Sequence, residues 1–325
     1  MAYRNGQHSA AAPFSAKRQS KLRLSKGLLY TFKRDKYLYL LAVPGVLFFI
    51  IFKYLPMWGI AIAFKDYSPY QGFLDSPWVG FENFHRLFTN PDFFHLFRNT
   101  LAISLMSLFL YFPIPIMLAI LLNELKNEIF KKLIQTIIYM PHFLSWVIIV
   151  GISFLLLSQG SGIINKLLVA GGFPAIEFLT SPKLFWLLLT AQNIWKDAGW
   201  GTILFLAAIA GIDPQLYEAA KMDGAGRFRQ MWHITLPSIR NVIVILLVLR
   251  IGHMMDVGFE QVLLMMNGAV SSVADVFDTY VYRIGIQQGE FSYSTAVGLF
   301  KSVTGLILVV IANKVVKKLG EEGVY

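Results

Sequence analysis

The chain has 325 residues, 56% of them hydrophobic and only 15% charged, with a formal net charge of +10. Soluble globular domains carry about 25% charged residues, so this balance excludes the common soluble classes. Cysteine is absent, which excludes disulfides and thiolate metal sites. The positive charge does not point to nucleic acid, because it clusters between apolar runs.

The first 36 residues hold nine cationic residues (Arg4, Lys17, Arg18, Lys21, Arg23, Lys26, Lys33, Arg34, Lys36) and one acid, Asp35. This reads as a basic cytoplasmic tail over 1–37. The apolar run follows without a clear small-x-small cleavage site, so an uncleaved first span is expected rather than a removed signal peptide. Six apolar runs follow in order, at 38–63, 100–122, 134–157, 183–211, 241–259 and 294–316. They are near or above the roughly 18 residues needed to cross a bilayer as a helix. The expected fold is all-α: a polytopic membrane protein with a six-span domain over 38–316 and a tail over 317–325. Lys53 and Pro56 interrupt the first run, where a kink is expected.

The intervening segments alternate in charge. With the N-terminus inside, the inside segments and the last helix end carry nineteen Lys and Arg, among them Lys126, Lys131, Lys132, Lys221, Arg227, Arg229, Arg240, Lys314, Lys317 and Lys318. The outside loops carry Lys65, Arg86, Arg98, Lys166 and Arg283, with Lys183 at a border. The positive-inside rule then puts both termini in the cytoplasm. The outside loop 64–99 is rich in aromatic residues, including Tyr67, Tyr70, Phe73, Trp78, Phe81, Phe84, Phe88, Phe93, Phe94 and Phe97. These suit a belt of rings at the headgroup level, or contact with an outside partner.

The loop 212–240 contains Leu216-Tyr217-Glu218-Ala219-Ala220-Lys221-Met222-Asp223-Gly224-Ala225-Gly226, followed by Ile234-Thr235-Leu236-Pro237. Pro214 and Glu218 suit a helix start, Gly224 and Gly226 a stop and a tight turn, and a second short helix runs on to Pro237. Ala219 and Ala220 leave room for close packing, and Glu218 can pair with a partner's base. This segment resembles the EAA loop of binding-protein-dependent ATP-cassette importers, with Glu218, Ala219, Ala220, Gly224, Ile234, Leu236 and Pro237 on the family's pattern. The resemblance implies the type I importer-permease architecture. It implies that this loop, with Asp223 at its turn, is a coupling helix docking in a groove of an ATPase subunit. It further implies a second permease subunit, making a heterodimer, two ATPase subunits that bind ATP and Mg, and an extracytoplasmic solute-binding protein. No cofactor is implied in this chain, and the location implied is the cytoplasmic membrane of a prokaryote. Lys53-Tyr54-Leu55-Pro56-Met57-Trp58-Gly59, Phe64-Lys65-Asp66-Tyr67 and Asp278-Thr279-Tyr280-Val281-Tyr282-Arg283 are similar to the branch of sugar permeases that serves oligosaccharides released from polysaccharides. Met265-Met266-Asn267-Gly268-Ala269-Val270 departs from the family in lacking Gly-Gly-Pro.

Polar groups inside spans are expensive and tend to be functional. The fourth run holds Gln192, Asn193, Trp195, Lys196, Asp197 and Trp200; the fifth holds Arg250, His253 and Asp256, with Glu260 at its border. Arg250 lies about 15 Å beyond Arg240 at 1.5 Å per residue, near the middle of a core about 30 Å thick. Helical spacing puts Gln192, Lys196 and Trp200 on one face, and His253, Asp256 and Glu260 on another. Trp faces can stack on sugar rings, and charged or amide groups can bond hydroxyls. In the family resembled, these two spans form most of the substrate site. Lys196, Arg250 and His253 are three potential cations at mid-membrane depth, which favours an acidic, uronic-acid-containing oligosaccharide over a neutral one. The alternative is internal pairing that glues helices, such as Lys196 with Asp256. For Lys53 and Lys301, nearer the run ends, snorkelling is expected.

No G-x-x-x-x-G-K-[ST], H-E-x-x-H or G-x-S-x-G occurs, and the six histidines (His8, His85, His95, His142, His233 and His253) show no ligand spacing. His233 is expected at the surface of the loop. An independent secondary transporter is the competing reading, but the inverted repeats common in that class are not found. A membrane enzyme would need a convergent catalytic constellation, and none is seen.

Overall fold

The computed structural model describes residues 34–320 and Gly323. Most of the basic tail expected over 1–37, and the last residues of the C-terminal tail, lie outside the described residues. Among the described residues the regular structure is helical, apart from an isolated antiparallel bridge between Lys65 and Trp78. The chain divides into two units, Met1–Gly59 and Ile60–Tyr325.

The first unit contains α1, Lys36–Phe49, which has Pro44 inside it and no buried residue. The helical path then widens into a π turn at Ile50–Tyr54 and tightens into a 3₁₀ run at Leu55–Phe64. Pro56 has no N–H, and its ring would clash with the carbonyl of Phe52 in a regular α-helix. The interruption expected at Lys53 and Pro56 is therefore met as a change of pitch.

In the second unit, α2 is Glu82–Thr89, α3 Phe93–Met106 and α4 Pro113–Asn123. A π turn at Ser107–Tyr111 joins α3 to α4 in one path of 31 residues, Phe93–Asn123, which begins before the predicted 100. Next come α5, Glu128–Tyr139, and α6, Trp146–Leu157. The Asn127 side chain caps α5 by accepting from the backbone N–H of Ile129 and Phe130 at 3.0 and 3.1 Å. The third run breaks at Leu144 and Ser145, and its two arms are bent by 103°. α7 is Ile163–Ala170, and α8 is Pro182–Ala210 with Pro182 in its first turn. α9 is Pro214–Met222; α10 is Arg227–Gln230 and continues through a π turn to Ser238; α11 is Arg240–Gly252. α12 (Phe259–Met265), α13 (Phe277–Val281) and α14 (Phe291–Lys318) complete the order.

Three helices, Lys36–Phe64, Phe93–Asn123 and Phe291–Lys318, are long and apolar enough to cross a membrane. Three bent pairs pass the same test when each is taken as one span: Glu128–Phe143 with Trp146–Leu157, Pro182–Ala210 with Pro214–Met222, and Arg227–Ser238 with Arg240–Gly252.

The long helix α8 packs against α3, α4 and α5. Where it meets α5, Gly199 lies so close to the Ile138 carbonyl that a Cβ would sit 1.9 Å from the oxygen. Only glycine fits this crossing. α11 and α14 touch in the same way, since a Cβ on Gly305 would lie 2.9 Å from the Gly252 carbonyl oxygen. Small residues that let backbones meet are the usual means of helix association in lipid.

The aromatic segment expected as an interfacial belt is in part a packed core. Phe93 and Phe97 join Leu87, Leu96, Phe277, Tyr280, Tyr293 and Val297 in one apolar cluster. Asn90 donates to the Tyr280 and Tyr293 hydroxyls at 2.7 and 3.1 Å, and burial, with Tyr293 beside it, pushes the Tyr280 phenol well above its ordinary pKa. Tyr70, Trp78, Phe81, Phe88 and Phe94 remain exposed. Arg86 adds an ion pair to Glu290 at 2.6 Å, tying α2 to the start of α14.

Candidate functional site

The fifth run does not stay helical to 259. α11 stops at Gly252, and the chain is non-helical until α12 begins at Phe259. Gly258 has φ +82°, a left-handed conformation that any side chain would disfavour. The Ser104 hydroxyl donates to the Met254 carbonyl within the unwound stretch, supplying one of the partners the broken helix lacks. His253, Asp256 and Glu260 therefore do not share a helix face, which corrects the expectation from i,i+3 and i,i+7 spacing.

The unwound stretch forms one wall of a cavity of about 240 Å³. Ile103, Ser104 and Ser107 of the α3 path form a second wall, Trp146 a third, and Asn193 and Asp197 of α8 a fourth. Arg250, His253 and Asp256 face the same space. Five of the ten residues predicted for the substrate path thus meet around one cavity. The other five do not line it. Ser104, Ser107 and Trp146 were not singled out in the sequence; two serines at i,i+3 in an apolar run were the available signal.

The α8 face that lines the cavity is the Asn193 and Asp197 face, not the predicted Gln192, Lys196 and Trp200 face. Gln192 is buried, donates to the Ser153 hydroxyl at 2.7 Å and accepts from Gln261 at 2.9 Å, knitting α6, α8 and α12. Lys196 Nζ donates to the His142 and Leu144 carbonyls at 2.8 and 2.6 Å. Those carbonyls are freed by the break in the third run, so the lysine closes a helix end from another helix. Trp200 stacks on the His142 ring with centroids 4.5 Å apart, and His142 Nδ1 meets Asp197 at 2.8 Å. Trp195 and Glu260 are exposed away from the cavity.

The pairing of Lys196 with Asp256 does not occur. Asp256 is held instead by Lys301 at 2.6 Å, and the same ammonium binds Asp278. Lys301 does not snorkel; its side chain is 13% exposed and points inward to two carboxylates. Arg250 differs from both lysines. Its guanidinium donates to the Ser107 hydroxyl and lies 5.0 Å from the Tyr111 ring centroid. Among the described residues, no carboxylate pairs with it. His253 uses Nδ1 on the Leu249 carbonyl at 2.9 Å, which places a proton on that nitrogen.

The loop 212–240 folds as its residues suggested. Asp213 caps α9 by accepting from Gln215 N–H at 2.9 Å. Gly224 follows with φ +74°, reversing the chain into α10. Tyr217 and Thr235 hydroxyls meet at 2.9 Å and clamp the two arms. Glu218, Ala219, Asp223, Gly224 and Pro237 are exposed, and Ala220 and Leu236 half-buried. His233 is exposed, as expected.

The chain thus combines an exposed helix–glycine–helix element with a cavity at a broken helix. Residues 111–320 match the family described as the binding-protein-dependent transport system inner membrane component, and the chain belongs to that family. It is an integral inner-membrane permease subunit and not an enzyme. The chain is 57% identical over 300 residues to the polygalacturonan/rhamnogalacturonan transport system permease protein YteP of Bacillus subtilis (strain 168), covering 92% of this chain and 94% of that one. It is 58% identical over 293 residues to protein LplB of the same strain, covering 90% and 92%. A crystal structure of a bacterial alginate ABC transporter, in complex with alginate pentasaccharide-bound periplasmic protein, contains a chain of the same fold. The TM-score is 0.83 at 40% identity, covering 91% of this chain and 99% of that one.

Replacing Lys196 tests its assignment to the helix break. Lys196→Met leaves two carbonyls without their donor, at about 1–3 kcal/mol for an unsatisfied buried group. The unfolding midpoint of the purified complex in detergent should fall accordingly, and an unchanged midpoint would show that the break is held by other means.

Proposed function

We propose that this chain is a permease subunit that passes acidic oligosaccharides, fragments containing uronic acids, through the cytoplasmic membrane into the cell. Arg250 carries the reading. A charge at mid-membrane is retained only with a role or a partner, and among the described residues this guanidinium has only a hydroxyl and a ring. A carboxylate on the passing sugar supplies the missing bidentate partner. Lys196 no longer contributes to the argument, because backbone carbonyls occupy it. Asn193, Asp197 and Asp256 offer acceptors and an amide for hydroxyls. The relatives named for acidic polysaccharides support the same substrate class.

The chain acts with a second permease subunit, two ATPase subunits holding ATP and Mg, and an extracytoplasmic solute-binding protein; the alginate complex holds a periplasmic protein of this kind. The helices cross the membrane six times, three as the long helices and three as the bent pairs, within a domain over 38–316 flanked by cytoplasmic tails. Charge asymmetry supports N-in, C-in orientation. The loop 212–240 faces the ATPase through Glu218, Ala219, Ala220, Asp223 and Gly224, with Leu236 and Pro237 bracing the return arm.

Three outcomes check this reading. A reporter fused after Tyr217 should lie in the cytoplasm and one after Gly268 outside; reversed signals would overturn the orientation and the coupling role together. Gly224→Pro cannot adopt φ +74°, since proline is fixed near −65°, and Glu218→Lys reverses the docking charge. Either change should leave the complex assembled and hydrolysing ATP while uptake falls to background; normal uptake would remove the loop from coupling. Arg250→Met should reduce uptake of a uronide about tenfold or more, the loss of one charged hydrogen bond, and leave the matching neutral oligosaccharide within about twofold. Equal loss of both substrates, or of neither, would make Arg250 structural.

A further inference from the structure

Lys301 belongs to the half of α14 nearer its start, and its ammonium is bound from two directions. Asp278 stands in the first turn of α13, whose Phe277 and Tyr280 are locked into the aromatic cluster. Asp256 stands on the unwound stretch after α11. Lys301 therefore ties a movable piece of backbone to a packed platform.

The two carboxylates are not equivalent. The Asp278 side chain is 20% exposed and the Asp256 side chain 60%. Asp256 lines the 240 Å³ cavity on one side, and on the other a second cavity of about 160 Å³ that Lys301, Gly252 and Gly305 also line. With His253, which also lines both, it stands where the two spaces adjoin. An ion pair with one partner this exposed adds little stability. What the pair fixes is direction, because a carboxylate on unwound backbone has many rotamers and Lys301 selects one.

We propose that Lys301 is a positioning residue for transport, holding the Asp256 carboxylate in the cavity wall where its oxygens accept hydroxyls of the passing sugar, with Asp278 as the anchor. An ammonium has three donors, enough to hold both carboxylates at once, and an ionised carboxylate accepts from several hydroxyls beyond its ion pair. The sugar is thereby met by an acceptor, Asp256, and a donor, Arg250, on one cavity. The inference rests on reading that cavity as the passage.

The experiment measures uptake of a uronic-acid trisaccharide at sub-saturating concentration, per assembled importer complex. Lys301→Met and Asp256→Asn should each reduce it about tenfold, the scale of one charged hydrogen bond. The double variant should be no worse than either single, because both remove the same interaction. Lys301→Arg, which keeps the charge, should recover uptake to within about twofold of the parent. Lys301→Met leaves Asp278 unpaired, so Lys301→Met with Asp278→Asn is measured beside it to keep an insertable form. Losses that multiply in the double variant, a normal Asp256→Asn, or no recovery by arginine would each overturn the positioning role. Arg250→Met separates the two levels. If it lowers uptake while the Lys301 series behaves independently of Asp256, only the positioning role fails. If Arg250→Met is also without effect, Arg250 is structural and the reading of the cavity as the passage fails with it.

Discussion

In the core of a bilayer no water is present to satisfy a peptide group, so a helix can be broken only where protein supplies the missing partner. Two of the breaks in this chain lie beside the cavity, and side chains from other helices complete both. At the 144–145 break, Lys196 of α8 supplies donors to the carbonyls of His142 and Leu144. At the unwound stretch after Gly252, Ser104 supplies a donor to Met254, and Lys301 holds the side chain of Asp256. Every buried side-chain nitrogen or oxygen among the described residues has a partner. The cavity lies where the end of α11 and the unwound stretch face Trp146, just past the other break, with α3, its following π turn and α8 supplying the rest.

The same constraint explains which parts of the structure could be read from sequence. Apolar run length marks helices because internal hydrogen bonding is compulsory in lipid, and α8 lies within a residue or so of its expected limits. The loop 212–240 was legible because its turn needs glycine at a positive φ, a local demand that leaves a local trace at Gly224. The breaks are different. Pro141 and the Ser145 cap leave a local trace at the first, but the partners that satisfy them are residues far apart in the chain, such as Lys196 with His142 and Ser104 with Met254. Helical spacing applied to His253, Asp256 and Glu260 assumed a continuity that Gly252 and Gly258 do not provide. The two glycines were visible, but glycine alone does not tell a packed crossing from an unwinding, and here Gly252 is a crossing and Gly258 sits in the unwound stretch.

The polar residues of α8 show the limit of depth as a guide. Six of them lie within two and a half turns, and depth alone treats them alike. The structure gives them separate work. Gln192 joins a buried amide network, Lys196 closes a helix end, Asp197 meets His142 beside the cavity, and Trp200 covers that histidine. Adjacent residues on a helix point about 100° apart, so neighbours such as Lys196 and Asp197 face different elements. The cations on the two runs were separable only once their partners were known.

The contact between α11 and α14 is a close one. At Gly305 the backbone of α14 meets the Gly252 carbonyl, while Gly252 itself faces the Val309 side chain. The spacing of α11 and α14 at this point leaves no room for a Cβ on either glycine. α11 is the direct continuation of the return arm of the loop 212–240, and its far end is the unwound stretch that carries Asp256. The return arm meets α11 at a bend of 59°, so the loop and the cavity wall are joined through one helix with a change of direction at each end.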